Sequence, residues 1–295
     1  MLKHAFLMLA HKQPVLIERI VSKIEKENHY IYIHYDAKSM DFEAVKMISV
    51  KYKNVYLPER KRTSWGGFSL TSCIIENFSN MINNSDNYDY FHLISGQDYP
   101  CVSMSKFDMF FEECSGKSFM RLDSEKETKE NRKKKFKYRM ENYFFNDEIC
   151  TEFLGVKLYK IVNKLLKPIP RTYENMDTLW GGWNWYSLSR DTLIYLLNYI
   201  RKNPKYCDRF KHTICSDELI FATIVKNTDI DLNVDICNSL RFVEWNPKRQ
   251  AESLPLLLTE NELEDVVNSG AFFCRKVQLP ESEKLLDKID ERIME

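Results

Sequence analysis

The chain has 295 residues, 44% of them hydrophobic and 13% aromatic, enough to build a sizeable core as one enlarged α/β domain or a domain with a subdomain. Lys+Arg and Asp+Glu both number 43 and the pI lies near 7.0, so the global basic field of a nucleic-acid binder is missing and no nucleic-acid partner is expected. The opening apolar run is cut at His11 and Lys12, too short for a signal peptide, and no later stretch supplies the ~20 apolar residues of a membrane span.

Ala5 to Ala10 reads as a short buried strand, and Pro14 opens a helix whose apolar positions Val15, Leu16, Ile20, Val21 and Ile24 follow helical spacing. Tyr30 to Asp36 is a second strand ending in an acid. Phe42 to Val50 suits a helix, and Val55 to Leu57 a third strand before the loop Ser64-Trp65-Gly66-Gly67. Leu70 to Met81 is helical. The next strand, Tyr90 to Ile94, runs into the polar, proline-stopped turn Ser95-Gly96-Gln97-Asp98-Tyr99-Pro100. Strands alternating with helices at this pitch predict a mostly parallel, Rossmann-like sheet. Ligands of such sheets sit beyond the carboxyl ends of the strands, so Ser95 to Asp98 would face one.

After Pro100 the pattern loosens. Residues 121–139 hold a highly charged run that reads as a solvated linker or loop, with a phosphate-binding arm as the alternative. Across residues 156–167, Leu158, Ile161, Val162 and Leu165 fall on one helical face and Lys157, Lys160, Lys164 and Lys167 on the other. Such a helix either packs on its own core or lies peripherally on an anionic membrane. The aromatic segment Leu179 to Arg190 feeds a helix from Asp191, and Cys215 to Thr223 begins another with Ser216 as its N-cap. Leu240 to Trp245 and Ala271 to Val277 read as strands around a helix at Thr259 to Asn268.

Five of the eight glycines fall in Trp65-Gly66-Gly67, Ser95-Gly96 and Trp180-Gly181-Gly182-Trp183, where close backbone approach and aromatic rings suit a cleft that stacks planar or sugar faces. Neither a dinucleotide fingerprint nor a P-loop is present. Asp217 and Glu218 are ordinary helix-dipole partners, and the same position keeps a carboxylate ionised for use as a general base. They point about a quarter turn apart, so one of them faces the cleft. Eight cysteines lie scattered without Cys-x-x-Cys spacing, which fits reduced thiols in a cytosol.

Seven motifs occur in order: Leu9-Ala10-His11-Lys12-x-Pro14, Ile33-His34-x-Asp36-x-Lys38, Ser64-Trp65-Gly66-Gly67-x-Ser69-Leu70, Leu93 to Pro100, Trp183-x-Trp185-x-Ser187-Leu188-Ser189-Arg190, Ser216-Asp217-Glu218 and Phe273-Cys274-Arg275-Lys276. Together they resemble the core-2/I-branching family, the β-1,6-N-acetylglucosaminyltransferases and their xylosyltransferase relatives, over most of the chain.

The resemblance implies a single GT-A-type glycosyltransferase domain over 1–295, with a nucleotide-sugar half to about residue 120 and an acceptor-binding, catalytic half beyond it. It implies inverting transfer, without a metal or other cofactor, from a UDP-sugar to a hydroxyl of a saccharide acceptor that can be lipid-linked. UDP-N-acetylglucosamine is the first donor, with UDP-xylose or a non-catalytic sugar-nucleotide or glycan-binding role as alternatives. Glu218 would be the base. His11, Asp36, Ser95, Gly96, Gln97, Asp98, Arg275 and Lys276 would bind the UDP-sugar, with the basic pair meeting the charge on departing UDP. Trp183, Trp185, Asp217 and Trp245 would line the acceptor and sugar-stacking wall. A bacterial member in the cytosol, acting on surface-polysaccharide precursors, is the version implied.

The chain departs from the family at two places. Ser216 stands where proline usually precedes the acidic pair. The basic residue expected near Ser253-Leu254-Pro255 is missing, leaving Arg241, Lys248 or Arg249 for a second phosphate contact.

Overall fold

Every residue of His4–Ala10 (β1) is buried, and its alternate side chains enter two different cores. Phe6, Met8 and Ala10 join one cluster while Ala5, Leu7 and Leu9 join the other, the signature of a strand covered on both faces. The computed structural model describes residues 1–83, 87–123, 136, 138–147, 161–162, 165, 171, 179–247, 249–250 and 254–294. Beside β1 lie His29–Tyr35 (β2), paired in parallel with Val55–Tyr56 (β3), and on its other side Tyr90–Ser95 (β4), also parallel. Ser187–Ser189 (β7) runs antiparallel to β4 and to Ser118–Phe119 (β6), and Val234–Asp235 (β8) closes the far edge. The order β3-β2-β1-β4-β7-β6-β8 is the mostly parallel, GT-A-type sheet that the resemblance implies. It is continuous across residue 120, because β7 joins β4 directly.

Helices fill both faces. Pro14–Ile24 (α1) starts at its proline and turns Leu16, Ile17, Ile20, Val21 and Ile24 inward, whereas Val15 is exposed. Phe42–Lys51 (α2) and Met104–Glu113 (α4) cover the same face, and Phe68–Asn83 (α3) covers the other. With α3 lie Arg190–Lys202 (α5), preceding the short Pro204–Asp208 (α6), and Ile220–Asn227 (α7). A second sheet holds Tyr99–Pro100 (β5), Phe273–Arg275 (β10) and Arg241–Val243 (β9), in that order. Leu263–Asn268 (α8) follows a capping box at Thr259, and Glu283–Met294 (α9) is pinned to α1 through Arg19, which bonds Asp287 at 2.7 Å and Asp290 at 2.9 Å. Neither α4 nor α9 is expected from the sequence reading, which loses the pattern after Pro100 and ends at the last strand.

Three expectations need correction or fall elsewhere. The charged run was expected to be solvated through residue 139, but Phe136 and Met140 are core residues, spaced to share one helical face; residues 124–135 and 137 lie outside the described residues. Most of 156–167 lies outside them too, save Ile161, Val162 and Leu165, which are helical. Ser216 does not cap a helix: its buried hydroxyl pairs with the Thr71 hydroxyl at 2.7 Å, and a 3-10 turn, Ser216–Glu218, follows Cys215 at a left-handed φ of 52° before α7 begins. No described helix is long and apolar enough to cross a membrane.

Candidate active site

Parallel pairing brings the ends of β1, β2 and β4 level, with Ala10 opposite Tyr35 and Leu9 opposite Ser95. The turns that follow are therefore neighbours. Gly96 is fixed by this closeness: its N–H donates to Leu9 O, and a Cβ there would meet the Ala10 Cβ at 3.0 Å. The end of β10 docks across the same edge. Val277 N–H donates to Gln97 O at 3.1 Å, Gln97 Nε2 donates to Val277 O at 3.3 Å, and Lys12 Nζ donates to Gln278 Oε1 at 2.7 Å. Sequence motifs far apart thus meet at one place.

Arg275 and Lys276 occupy that place differently. The Arg275 guanidinium donates to Asp98 Oδ1 at 2.8 Å and Ser95 Oγ at 3.2 Å, and stacks 4.3 Å from the Trp185 ring. Asp98 is fully buried, so its expected contact with a ligand is replaced by a hold on Arg275. Among the described residues Lys276 forms no ion pair. Partial burial, then Lys12 and Arg275, press its pKa downward, a sign of crowded positive charge without a matching anion. His11 feels the same charges: desolvation and Lys12, with Lys276 and Lys38 behind, depress its pKa against the pull of Asp36.

Asp36 is buried and its oxygens are already bonded, Oδ1 by Lys38 N–H at 2.8 Å and Oδ2 by the Thr63 N–H and hydroxyl at 3.0 and 2.6 Å. Burial alone would raise its pKa, but these donors outweigh it and the net direction is down. The carboxylate therefore shapes the loop that edges the pocket. Trp245 follows β9, whose last residue Val243 pairs with Arg275, and is 44% exposed at that same end. Arg241 is buried and directed at carbonyls, among them Ser239 O at 2.7 Å, so it is withdrawn from any phosphate. Arg249 is paired with Glu262 at 2.9 Å, and Lys248 lies outside the described residues.

The acidic turn is linked to Arg275 through the segment Gly182 to Trp185. Glu218 Oε2 accepts from Arg139 Nη1 at 2.7 Å, and Glu218 O accepts from Gly182 N–H at 3.0 Å. Burial opposes the Arg139 charge, and Glu218 more than offsets that. Asn184 donates to Asp217 Oδ2, and Trp185, one residue on, stacks on Arg275. Gly182 to Trp185 is three steps of chain, at most about 11 Å, so one short segment carries both the acid turn and the basic strand end. Gly181 and Gly182 allow this: a Cβ on Gly182 would strike Arg121 O at 2.6 Å, and one on Gly181 would strike Phe136 at the same distance. Trp183 stacks instead on Arg121, 4.6 Å away.

Burial first, and then Glu218, push the Asp217 carboxyl up to about 6. A folded pKa above the unfolded value favours the native state only while the group is protonated. The resulting cost is absent below about pH 4, grows through pH 6 and is full above it. Asp217→Asn is expected to stabilise the chain at pH 8 by about 1–2 kcal/mol after discounting for partial exposure, and by nothing at pH 3.5, as read by melting temperature across that range.

Sequence reading missed Arg139, Lys12 and Asn184 as site residues. Arg139 was submerged in the charged run, although Phe136 and Met140 on either side gave the helical spacing that aims it inward. Lys12 stood in a quoted motif without a role.

Comparison with known proteins bears on the family. The chain is 24% identical over 252 residues to a xylosyltransferase of Ciona intestinalis, covering 83% of this chain and 27% of that protein. It is 23% identical over 251 residues to xylosyltransferase 2 of Rattus norvegicus, with the same two coverages. It spans about a quarter of the length of these relatives. Among solved structures, apo mouse xyloside xylosyltransferase 1 aligns with a TM-score of 0.41 at 9% identity, over 83% of this chain and 89% of that one. Six of the seven ordered motifs lie within residues 4–266, which match the family model of the Core-2/I-Branching enzyme, Phe273 to Lys276 falling beyond them, and the chain belongs to that family.

Proposed function

We propose that the chain moves a sugar from a UDP-sugar to a hydroxyl of a saccharide acceptor, with inversion. The observation that carries this reading is the segment Gly182 to Trp185, which bonds the turn of Asp217 and Glu218 at one end and stacks on Arg275, beside Lys276, at the other. Arg139 holds Oε2 of Glu218 and leaves Oε1 for the acceptor hydroxyl. As that hydroxyl oxygen bonds to the anomeric carbon, its proton passes to Glu218. The bond from the anomeric carbon to the phosphate oxygen breaks on the opposite face, and its electron pair leaves with UDP. Lys276, Lys12 and Arg275 meet the charge that grows there, while Asp98 and Trp185 position Arg275. His11 and the Asp36 loop edge the nucleotide, and Trp245 offers a stacking face to the sugar.

Metal independence is part of the proposal. The loop after β4 supplies one carboxylate, Asp98, which Arg275 already occupies. The Asp229-Ile230-Asp231 pair is exposed between α7 and β8, the far edge of the sheet. UDP-N-acetylglucosamine is the proposed donor. UDP-xylose is the second reading, favoured by the names of the relatives.

A thermal-shift panel of UDP, UDP-N-acetylglucosamine and UDP-xylose, run in EDTA and again with manganese, tests class, donor and metal together. At a hundredfold excess over Kd the bound nucleotide is expected to raise the melting temperature by about 5 °C, equally in both buffers. Turnover of the preferred donor should match. Loss of turnover in EDTA with recovery in manganese would end the metal-free reading, and no response to any nucleotide would end the transferase reading.

A further inference from the structure

A cluster of polar side chains that sugar transfer does not use lies at the opposite end of the parallel strands. His4 opens β1 and His29 opens β2 as its register partner, while Asp108 projects from α4. Six residue steps along β1, about 20 Å, separate His4 from the edge at Ala10. All three side chains are buried, and one donor atom from each lies within 4.8 Å of the other two.

Their hydrogen bonds orient them toward one point. His29 Nδ1 donates to Ile24 O at 2.7 Å, which turns Nε2 to Asp108 Oδ1, also 2.7 Å away. His4 Nδ1 lies 3.0 Å from His92 Nε2, and His92 Nδ1 lies 2.8 Å from Ser187 Oγ. With each ring donating through Nδ1, His4 presents a bare Nε2 at 3.8 Å from Asp108 Oδ1. That nitrogen is buried without a hydrogen-bond partner, as is Asn28 Oδ1, on the amide whose nitrogen lies 3.4 Å from Asp108 Oδ1. Lys26 takes the outer oxygen, Oδ2, at 2.5 Å and leaves Oδ1 turned to the imidazoles. Phe107, Phe111 and Tyr90 form a dry shell, with ring centroids 5.2, 5.3 and 5.7 Å from that of His4.

We propose that His4, His29 and Asp108 form a structural site for a first-row divalent cation of the zinc class. Two imidazoles and a carboxylate are donors that such ions take, at about 2.0–2.2 Å, which in a tetrahedron sets ligand atoms about 3.3 Å apart. The observed separations of 2.7 and 3.8 Å bracket that spacing. Outer hydrogen bonds from ligating histidines to a carbonyl and a neighbouring ring are the arrangement that fixes metal ligands. The cation displaces the proton shared by His29 Nε2 and Asp108 Oδ1 and ties α4 to the first two strands. It stands apart from the transfer site, so its occupancy is read as binding and stability and not as turnover.

The experiment titrates the chelator-stripped full chain with Co²⁺ and then Zn²⁺. One equivalent of Co²⁺ is expected to give the visible absorption of four-coordinate ligation, which Zn²⁺ abolishes, and a melting temperature raised by about 5 °C at a hundredfold excess over Kd. Asp108→Asn should weaken binding by about a hundredfold or more, whereas His212→Gln should leave it unchanged. X-ray absorption on the zinc-loaded unaltered chain gives a readout that does not depend on a variant folding, with two imidazoles and oxygen expected around the metal. No spectral change at one equivalent, a cysteine sulfur in the metal shell, or full affinity in folded Asp108→Asn would each overturn the proposal.

Discussion

Glu218→Gln is expected to cut transfer about a thousandfold, within the hundred- to ten-thousandfold range of general-base removal, while UDP still binds. The amide keeps the length of the side chain and an oxygen for Arg139 to bond, so the turn that Cys215, Ser216 and Gly182 hold is undisturbed. What disappears is the lone pair able to take a proton from the acceptor. A loss in kcat with little change in donor affinity would identify an interaction made only as the hydroxyl attacks. Asp217→Asn is the control, because Asn184 and burial hold that carboxylate aside. Full activity in Glu218→Gln with none in Asp217→Asn would transfer the base to Asp217.

Arg275→Ala and Lys276→Ala are expected to separate catalysis from folding. Each removes a positive charge from the place proposed for the leaving diphosphate, and each should cost about a hundred- to a thousandfold in turnover. Their stabilities should diverge. Removing Arg275 strips a fully buried Asp98 of its cation, a change that typically costs about 3–5 kcal/mol, and also uncovers the Trp185 ring. Lys276 has no anionic partner among the described residues and is pressed by Lys12 and Arg275, so its removal should leave stability within about 0.5 kcal/mol. Urea denaturation alongside initial rates reads both quantities. Arg275→Lys is expected to recover part of the stability lost in Arg275→Ala, since an ammonium still offers Asp98 a cation but not the planar face that stacks on the Trp185 ring. An active Lys276→Ala would remove the anion role from this residue.

Much of the first hundred residues was legible because β1, β2 and β4 are largely aliphatic and aromatic runs, and α1 begins at a proline and buries a regular face. Legibility failed where an element is too short to have a period. β6 and β8 have two residues each and exist through their partners, and the 3-10 turn holding Glu218 is set by Cys215 and the Thr71 hydroxyl. Of the site, the motif residues were visible and their division of labour was not. Asp98 and Asp36 look like ligand contacts when only their position after a strand is known, but one anchors an arginine and the other closes its own loop.

The sequence alone determined the α/β class, the ordered motifs that mark the family and the set of acids and cations from which a site could be made. Tertiary structure decided which of them come together, that Arg139 faces Glu218, and that Arg275 is held by Asp98 while Lys276 forms no ion pair among the described residues. The reason is range. Side-chain periodicity reports which face of a segment is buried, a property of a few neighbouring residues. The Arg275–Asp98 pair spans 177 positions and the Arg139–Glu218 pair 79, and such partners are chosen only when the sheet edge brings their strands and turns together.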